Sequence, residues 1–442
     1  MNVVRRVALM NDDQKRELES FLVQTEGAPP PVFIGREEVL MDIALASEQV
    51  WKGMGSGQHG MEKATRIVQG APGAGKSSIL NEIACNSERL RREGVPVPMV
   101  VTLKSGDIDE PIDILEPLAV SINPSAAGDF LSRYSRTIGG DAGVSLGPIR
   151  VGGRIETSAE TTRTRARWNV FKAWVEENGG FDRPITLAID EAQRFDHVPE
   201  DPLSKLFQSL HDGSNLPIVL VLAGLSDTEY SAGRMDLTRI PSGQVHNIGC
   251  FSNHEAEELM SRSCAHFGID IAGFEDEINR LAEPCDCWPR HLHIVLKAFG
   301  REALRTGGDL DKADWEGIVV EIRAGRDDYY GHQFSSEMRE AKSLMARIMN
   351  ELNTRNEREE IIKFINECRV NKSDYLFPEG MGARDFFVHL VHKGALHEES
   401  VDRFVCPIPS FHTYLLDRGG LTENPAPVPG STGSSEEPKR YG

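Results

Sequence analysis

The stretch Gly70-Ala71-Pro72-Gly73-Ala74-Gly75-Lys76-Ser77 decides how the rest of this 442-residue sequence is read. It fits the spacing G-x-x-x-x-G-K-[ST], and each position has a physical reason. Glycine adopts backbone conformations that other residues resist, so successive N–H groups can turn inward around a phosphate. An apolar run at 66–68 precedes the turn and a helical pattern over 76–92 follows it, which brings the positive end of a helix dipole to the same point. Lys76 is expected to bridge the β and γ phosphates of a nucleotide, and the Ser77 hydroxyl to ligate Mg²⁺. Gly70, Pro72, Gly73, Ala74, Gly75 and Ser78 complete the expected contacts.

A triphosphate carries too much charge for backbone dipoles alone, so a second, acidic element is needed to hold the metal. Ile185-Thr186-Leu187-Ala188-Ile189-Asp190-Glu191 supplies one, an apolar run that ends in two carboxylates. Asp190 is expected to hold Mg²⁺ through its water shell, and Glu191 to polarise the water that attacks the γ-phosphorus.

Outward from these two elements, further β-like runs fall at 99–103, 218–223 and 245–248, with helical patterns between most of them. Strands alternating with helices predict a parallel sheet covered on both faces, an α/β fold. Between the second and third strands the apolar residues Val144, Leu146, Ile149, Val151 and Ile155, punctuated by glycines, predict an inserted hairpin at about 141–157. Upstream lie a short helical pattern at 14–24, a proline-rich linker ending at 31, an amphipathic stretch at 38–50 and a glycine-rich loop at 53–60. Downstream, Ser252 and Glu255 form a capping-box pattern that opens a helical segment running to about 330. Three helical patterns and a terminal hairpin between 335 and 418 suggest a winged-helix module, and the polar tail at 420–442 is expected to be disordered.

Phe33-Ile34-Gly35-Arg36-Glu37 before a helix, the glycine-rich turn, Asp190-Glu191-Ala192-Gln193, and Trp288-Pro289-Arg290 opening a helix together resemble AAA+ P-loop ATPases. The resemblance is to the initiator-type branch, which holds origin-recognition proteins and the transposition ATPases of the TnsC kind, and it covers roughly residues 32–300. It implies a five-stranded core at 32–250, an α-helical lid at 251–330, and ATP bound at a subunit boundary. Carried over by position, Ile34 and Gly35 would lie against adenine, and Arg290 would read the γ-phosphate from the lid. Ser226, in Ala223-Gly224-Leu225-Ser226-Asp227, would take the sensor 1 place at the end of the fourth strand. Arg239, in preference to Arg234, would be the finger donated to a neighbouring subunit.

Composition excludes other classes. The seven cysteines are an odd, scattered set, and no basic-then-apolar leader or spanning apolar run is evident, so a cytoplasmic protein without membrane contact is expected. Cys285 and Cys287, with Cys264 and His266 nearby, lack zinc-binding spacing and read as core or surface cysteines. His389, His392 and His397 receive no chemistry, while Phe386, Phe387, Leu390 and Val391 recur at helical spacing and are expected in a core.

Formal net charge is −19, so contact with DNA or RNA has to come from a local patch. One exists over 131–172, where eight basic residues, among them Arg133, Arg136, Arg167 and Lys172, face three acidic ones, an excess of +5. Two readings of the protein's purpose stand. One is an oligomeric ATP-driven switch that couples nucleotide state to nucleic acid and recruits a protein partner. The other is a STAND-like signalling or antiviral-defence ATPase that acts on a partner protein without nucleic acid.

Overall fold

The computed structural model describes residues 10–24, 31–56, 64–139, 156–195, 201–212, 216–237, 240–282, 285, 287–333, 341–370, 380–400, 402–408, 411 and 414–415. Five strands make the central sheet: β1 (Thr65–Gly70), β2 (Met99–Lys104), β3 (Ile185–Asp190), β4 (Ile218–Gly224) and β5 (Val245–Ile248). All pair in parallel, in the order β2-β3-β4-β1-β5. Alternate residues of a strand face opposite ways. Val68, Ala188, Val219, Val221 and Ala223 therefore enter one core, while Ile67, Leu187, Ile189, Leu220 and Leu222 enter the other. Burial on both faces is why β3 and β4 read as nearly continuous apolar runs, while the edge strands β2 and β5 keep exposed positions.

Parallel pairing puts all the carboxyl ends on one edge of the sheet, where open α/β folds bind ligands. Gly70 and Asp190 are the last residues of β1 and β3 and meet that edge, with β4 between them. The helix expected after the glycine-rich turn is α3 (Lys76–Arg92).

Upstream, α1 (Asp12–Val23) and α2 (Glu37–Ser56) match the predicted patterns, with one correction. The glycine-rich loop expected from 53 does not begin there, because α2 runs through Gly53 and Gly55. Its face Val39, Ile43 and Ala46 is buried against the sheet, and that packing outweighs the roughly 1 kcal/mol that each helical glycine costs. Residues 57–60 of that loop lie outside the described residues.

Between β2 and β3 come α4 (Ile112–Ile122), α5 (Ala127–Gly139) and α6 (Glu156–Glu177), whose buried Phe130, Phe171 and Trp174 fill the second core. The inserted hairpin expected at 141–157 falls outside the described residues except for its last two, Glu156 and Thr157, which begin α6. After β3 come α7 (Pro202–His211) and α8 (Thr228–Arg234).

A helical layer follows: α9 (Asn253–His266), α10 (Glu275–Ala282), α11 (Pro289–Thr306) and α12 (Trp315–Gln333). The capping box forms as predicted, with Ser252 N–H donating to Glu255 Oε2 at 2.6 Å and Glu255 N–H donating to Ser252 Oγ at 3.2 Å. Leu18 and Phe21 of α1 are buried in the core of this layer. Then come α13 (Lys342–Glu351), α14 (Arg358–Val370) and α15 (Ala383–His392), and an antiparallel hairpin, β6 (His397–Ser400) with β7 (Arg403–Val405). Phe386, Phe387 and Leu390 are buried as expected, whereas Val391 is only half-buried. Val68, Trp288, Tyr330, Leu344 and Phe386 belong to one continuous core, so the sheet, the helical layer after it and the C-terminal helices are packed together. Among the described residues no helix is long and apolar enough to cross a membrane.

Candidate nucleotide site

An open cleft of about 1720 Å³ lies at the carboxyl edge of the sheet, between the glycine-rich turn, the start of α11 and the C-terminal helices. Gly73, at φ +87, occupies the left-handed region that glycine alone visits cheaply. Its missing side chain matters equally, since a Cβ there would lie 2.7 Å from Arg290 Cβ and 2.9 Å from Trp288 Nε1. This close approach lets Arg290 N–H donate to the Gly73 carbonyl at 3.1 Å, which ties α11 to the turn.

Lys76 Nζ donates to the carbonyls of Gly70 at 2.8 Å and Ala71 at 3.0 Å. Burial pushes its ammonium down to about 8, while Asp190 and Glu191 pull in the opposite direction. It is therefore protonated at neutral pH, and its carbonyl bonds are ones that phosphate oxygens can replace.

Ser77 Oγ donates to Asp190 Oδ2 at 2.6 Å, and the other Asp190 oxygen accepts from Glu191 N–H at 2.9 Å. A hydroxyl and a carboxylate, adjacent and only part-buried, are hard oxygen donors of the kind Mg²⁺ takes, and that ion keeps most of its shell for water and phosphate. The residues present fit the metal.

Glu191 has φ +58, a backbone state that costs a residue with a side chain roughly 1–3 kcal/mol and that collects at functional sites. Ser105 Oγ donates to its carbonyl at 2.8 Å, and Arg194 Nη2 pairs with its Oε2 at 2.9 Å. Two neighbouring elements thus hold the strained residue at the cleft.

Ser78, Pro72, Ala74, Gly75, Ile34 and Ser226 all line the cleft, as does Arg290, whose guanidinium lies 5.3 Å from the Tyr329 ring centre. Gly70 lies beneath the turn and contributes its carbonyl to Lys76. Gly35 is placed differently from Ile34: a Cβ on it would collide with Glu255 Oε1 and meet Phe251 at 3.4 Å, so it serves close packing against the capping box. Arg239 lies outside the described residues, and Arg234 lines this same cleft.

Four cleft residues were not expected as ligands from the sequence: Asp227, His293, His392 and Lys393. Asp227 has a buried Oδ1 without a hydrogen-bond partner. Burial raises its carboxyl pKa, and His392 opposes that shift. His293 follows Arg290 by three positions on a helix, a spacing that puts the two on one face; that signal was legible. His392 and Lys393 reach the cleft because Gly394 packs on the turn, its would-be Cβ lying 3.0 Å from Pro72 Cγ and 3.7 Å from Leu225 Cδ2.

No protein-family model matches this sequence, and no curated protein matches it. Solved structures are similar in fold. The Aeropyrum pernix ORC2 protein in its ADP form shares 13% identity at a TM-score of 0.50, over 91% of this chain and 98% of that one. The Walker-type ATPase PABY2304 of Pyrococcus abyssi shares 18% identity at a TM-score of 0.49, over 89% of this chain and 99% of that one.

Proposed function

We propose, from the premise that this chain has the AAA+ P-loop fold of the initiator type, that it binds ATP with Mg²⁺ and hydrolyses it as a molecular switch. The observation that carries this reading is the 2.6 Å hydrogen bond between Ser77 and Asp190, which joins two sequence elements 113 positions apart at one phosphate-sized turn. In this reading residues 32–250 are the nucleotide core, 251–330 the lid and 335–418 the C-terminal module.

Ser77 and Asp190 would hold Mg²⁺, which when bound screens the charge of the phosphates. Lys76 would bridge the β and γ phosphates, while the N–H groups of residues 72–78 surround them. Glu191 would accept a proton from the attacking water as its oxygen bonds to the γ-phosphorus and the bond to the bridging oxygen breaks. Arg290 would approach the γ-phosphate from the lid, Ser226 would face it from the end of β4, and Arg239 is our candidate for the arginine donated to a second copy.

Two uses of the switch are supported by different observations. The basic excess over 131–172 favours assembly on DNA or RNA with recruitment of a protein partner. The seating of Gly394 on Pro72 favours a switch of the STAND kind, in which the C-terminal module reports nucleotide state to a partner protein.

ATP binding and phosphate release test the reading. Glu191→Gln should bind ATP normally and hydrolyse it about 10²–10⁴-fold more slowly, and Lys76→Ala should bind no measurable ATP. Hydrolysis by Glu191→Gln at the wild-type rate would remove Glu191 as the base.

A further inference from the structure

The cleft has two chemically different ends. Around the glycine-rich turn it is polar, with Lys76, Ser77 and Asp190. Toward Ile34 its walls are apolar, built by Val32, Ile34, Leu259 and Leu296. A flat, aromatic ligand part suits such a slot, but apolar walls alone cannot tell one base from another. His293 lines the cleft from α11, one turn after Arg290 and one turn before Leu296 on the same helix. Arg290, His293 and Leu296 recur every three positions, so a single helix face spans the cleft.

The imidazole of His293 is held from behind. Phe21 of α1 packs edge-on against it, ring centres 5.3 Å apart at 80°. Lys297 lies 5.8 Å over the same Phe21 ring and donates to the Gln24 carbonyl at 2.8 Å, fastening α1 to α11. Neither ring nitrogen of His293 makes a hydrogen bond among the described residues. Burial pushes its pKa down to about 4, with Lys297 and Arg290 adding to the shift, so the ring is neutral at pH 7 and keeps one nitrogen as an acceptor.

We infer that His293 is a specificity-determining residue of the nucleotide site, accepting a hydrogen bond from the exocyclic 6-amino group of the adenine base. The inference rests on the nucleotide reading above. It also gives α1, which lies outside the five-stranded core, a part in ligand choice, because Phe21 fixes the orientation of the ring.

The experiment is displacement of a fluorescent ATP analogue from the full chain by three competitors: ATP, purine riboside triphosphate, which lacks only the 6-amino group, and inorganic tripolyphosphate. The wild type should prefer ATP over purine riboside triphosphate by about tenfold, the worth of one good hydrogen bond. His293→Phe keeps a ring against Phe21 but removes both nitrogens, and should bind the two nucleotides within about twofold of each other while tripolyphosphate competes as in the wild type. His293→Gln returns an acceptor and should recover at least part of the preference. A wild type indifferent to the 6-amino group, or a His293→Phe variant that keeps the tenfold preference, overturns the proposal while leaving the nucleotide reading standing. A wild type that does not bind the fluorescent ATP analogue at all overturns both. If His293→Phe does not fold, the wild-type preference together with its size in His293→Gln decides the matter, since a fully lost preference in an acceptor-bearing variant contradicts the role.

Discussion

At the scale of the residue, Lys76 is the most consequential group in the cleft because its charge is conditional. Its ammonium, lowered to about 8 by burial, sits within reach of two backbone carbonyls. A triphosphate favours the protonated form and raises the pKa in the complex. ATP affinity should therefore be flat below pH 8 and fall as pH rises above it, by up to about tenfold per unit, until the higher pKa of the bound state is reached. A titration of ATP affinity from pH 7 to 9.5 checks this, and an affinity that stays level to pH 9.5 contradicts it. Ser77 gives a second residue-scale expectation. With its hydroxyl 2.6 Å from Asp190, Ser77→Ala should raise the Mg²⁺ concentration needed for hydrolysis by about tenfold, one lost ligand bond of roughly 1.4 kcal/mol. Metal-free nucleotide binding should change little, and both can be read from Mg²⁺ titrations.

At the scale of the element, the glycine-rich turn is clamped from two sides. From the lid, α11 reaches Gly73 through Trp288 and Arg290; from the C-terminal module, the residues after α15 reach Pro72 through Gly394. Gly394 has φ +71 and almost no space for a Cβ, so Gly394→Val should force the module away from the turn. Overpacking of this kind costs about 1–3 kcal/mol. We expect the loss to appear as nucleotide release about tenfold faster, read by stopped-flow chase of labelled ADP, together with a lower midpoint of thermal unfolding. A lower midpoint with unchanged release would make the contact structural only. Trp288 is fully buried in the core shared by the sheet, the lid and the module. Trp288→Ala should cost about 3–5 kcal/mol, seen as a large fall in denaturant midpoint.

At the scale of the whole molecule, acid stability has a named contributor. His291 is buried against Tyr329 and Tyr330, and burial, with Arg326 and Arg290 beside it, pushes its pKa down to about 3. A histidine with a lowered folded pKa takes up more protons when unfolded, so its contribution to stability is complete above about 6.5 and declines as pH falls toward 3. Melting temperatures between pH 7 and 4 should drop along that window, and His291→Phe should flatten the slope. Assembly is the other whole-molecule question. With a net charge of −19, any contact with nucleic acid has to overcome general repulsion through a local patch. The molar mass of Glu191→Gln should rise with ATP and Mg²⁺; duplex DNA should strengthen the rise and salt weaken it if 131–172 is the contact. A mass indifferent to DNA would favour the protein-directed switch.

The five-stranded parallel sheet, the glycine-rich turn with α3, and the convergence of Ser77 and Asp190 on one site can all be read from residue order. These depend on local demands that spacing records: apolar runs for doubly covered strands, glycines where the backbone must turn around phosphate, acids at a strand end. Residue order misplaces the end of α2, where tertiary packing overrode glycine's low helical propensity. Residue order does not show that Gly394 sits on Pro72, that His392 acts on the charge of Asp227, or that Phe21 packs against His293; the folded chain does. Each of these joins residues from segments distant along the chain, and in the sequence each contributes only an apolar face, a lone histidine or a glycine. Which faces meet depends on shape complementarity across the whole packed interior, and no short stretch of residues encodes that.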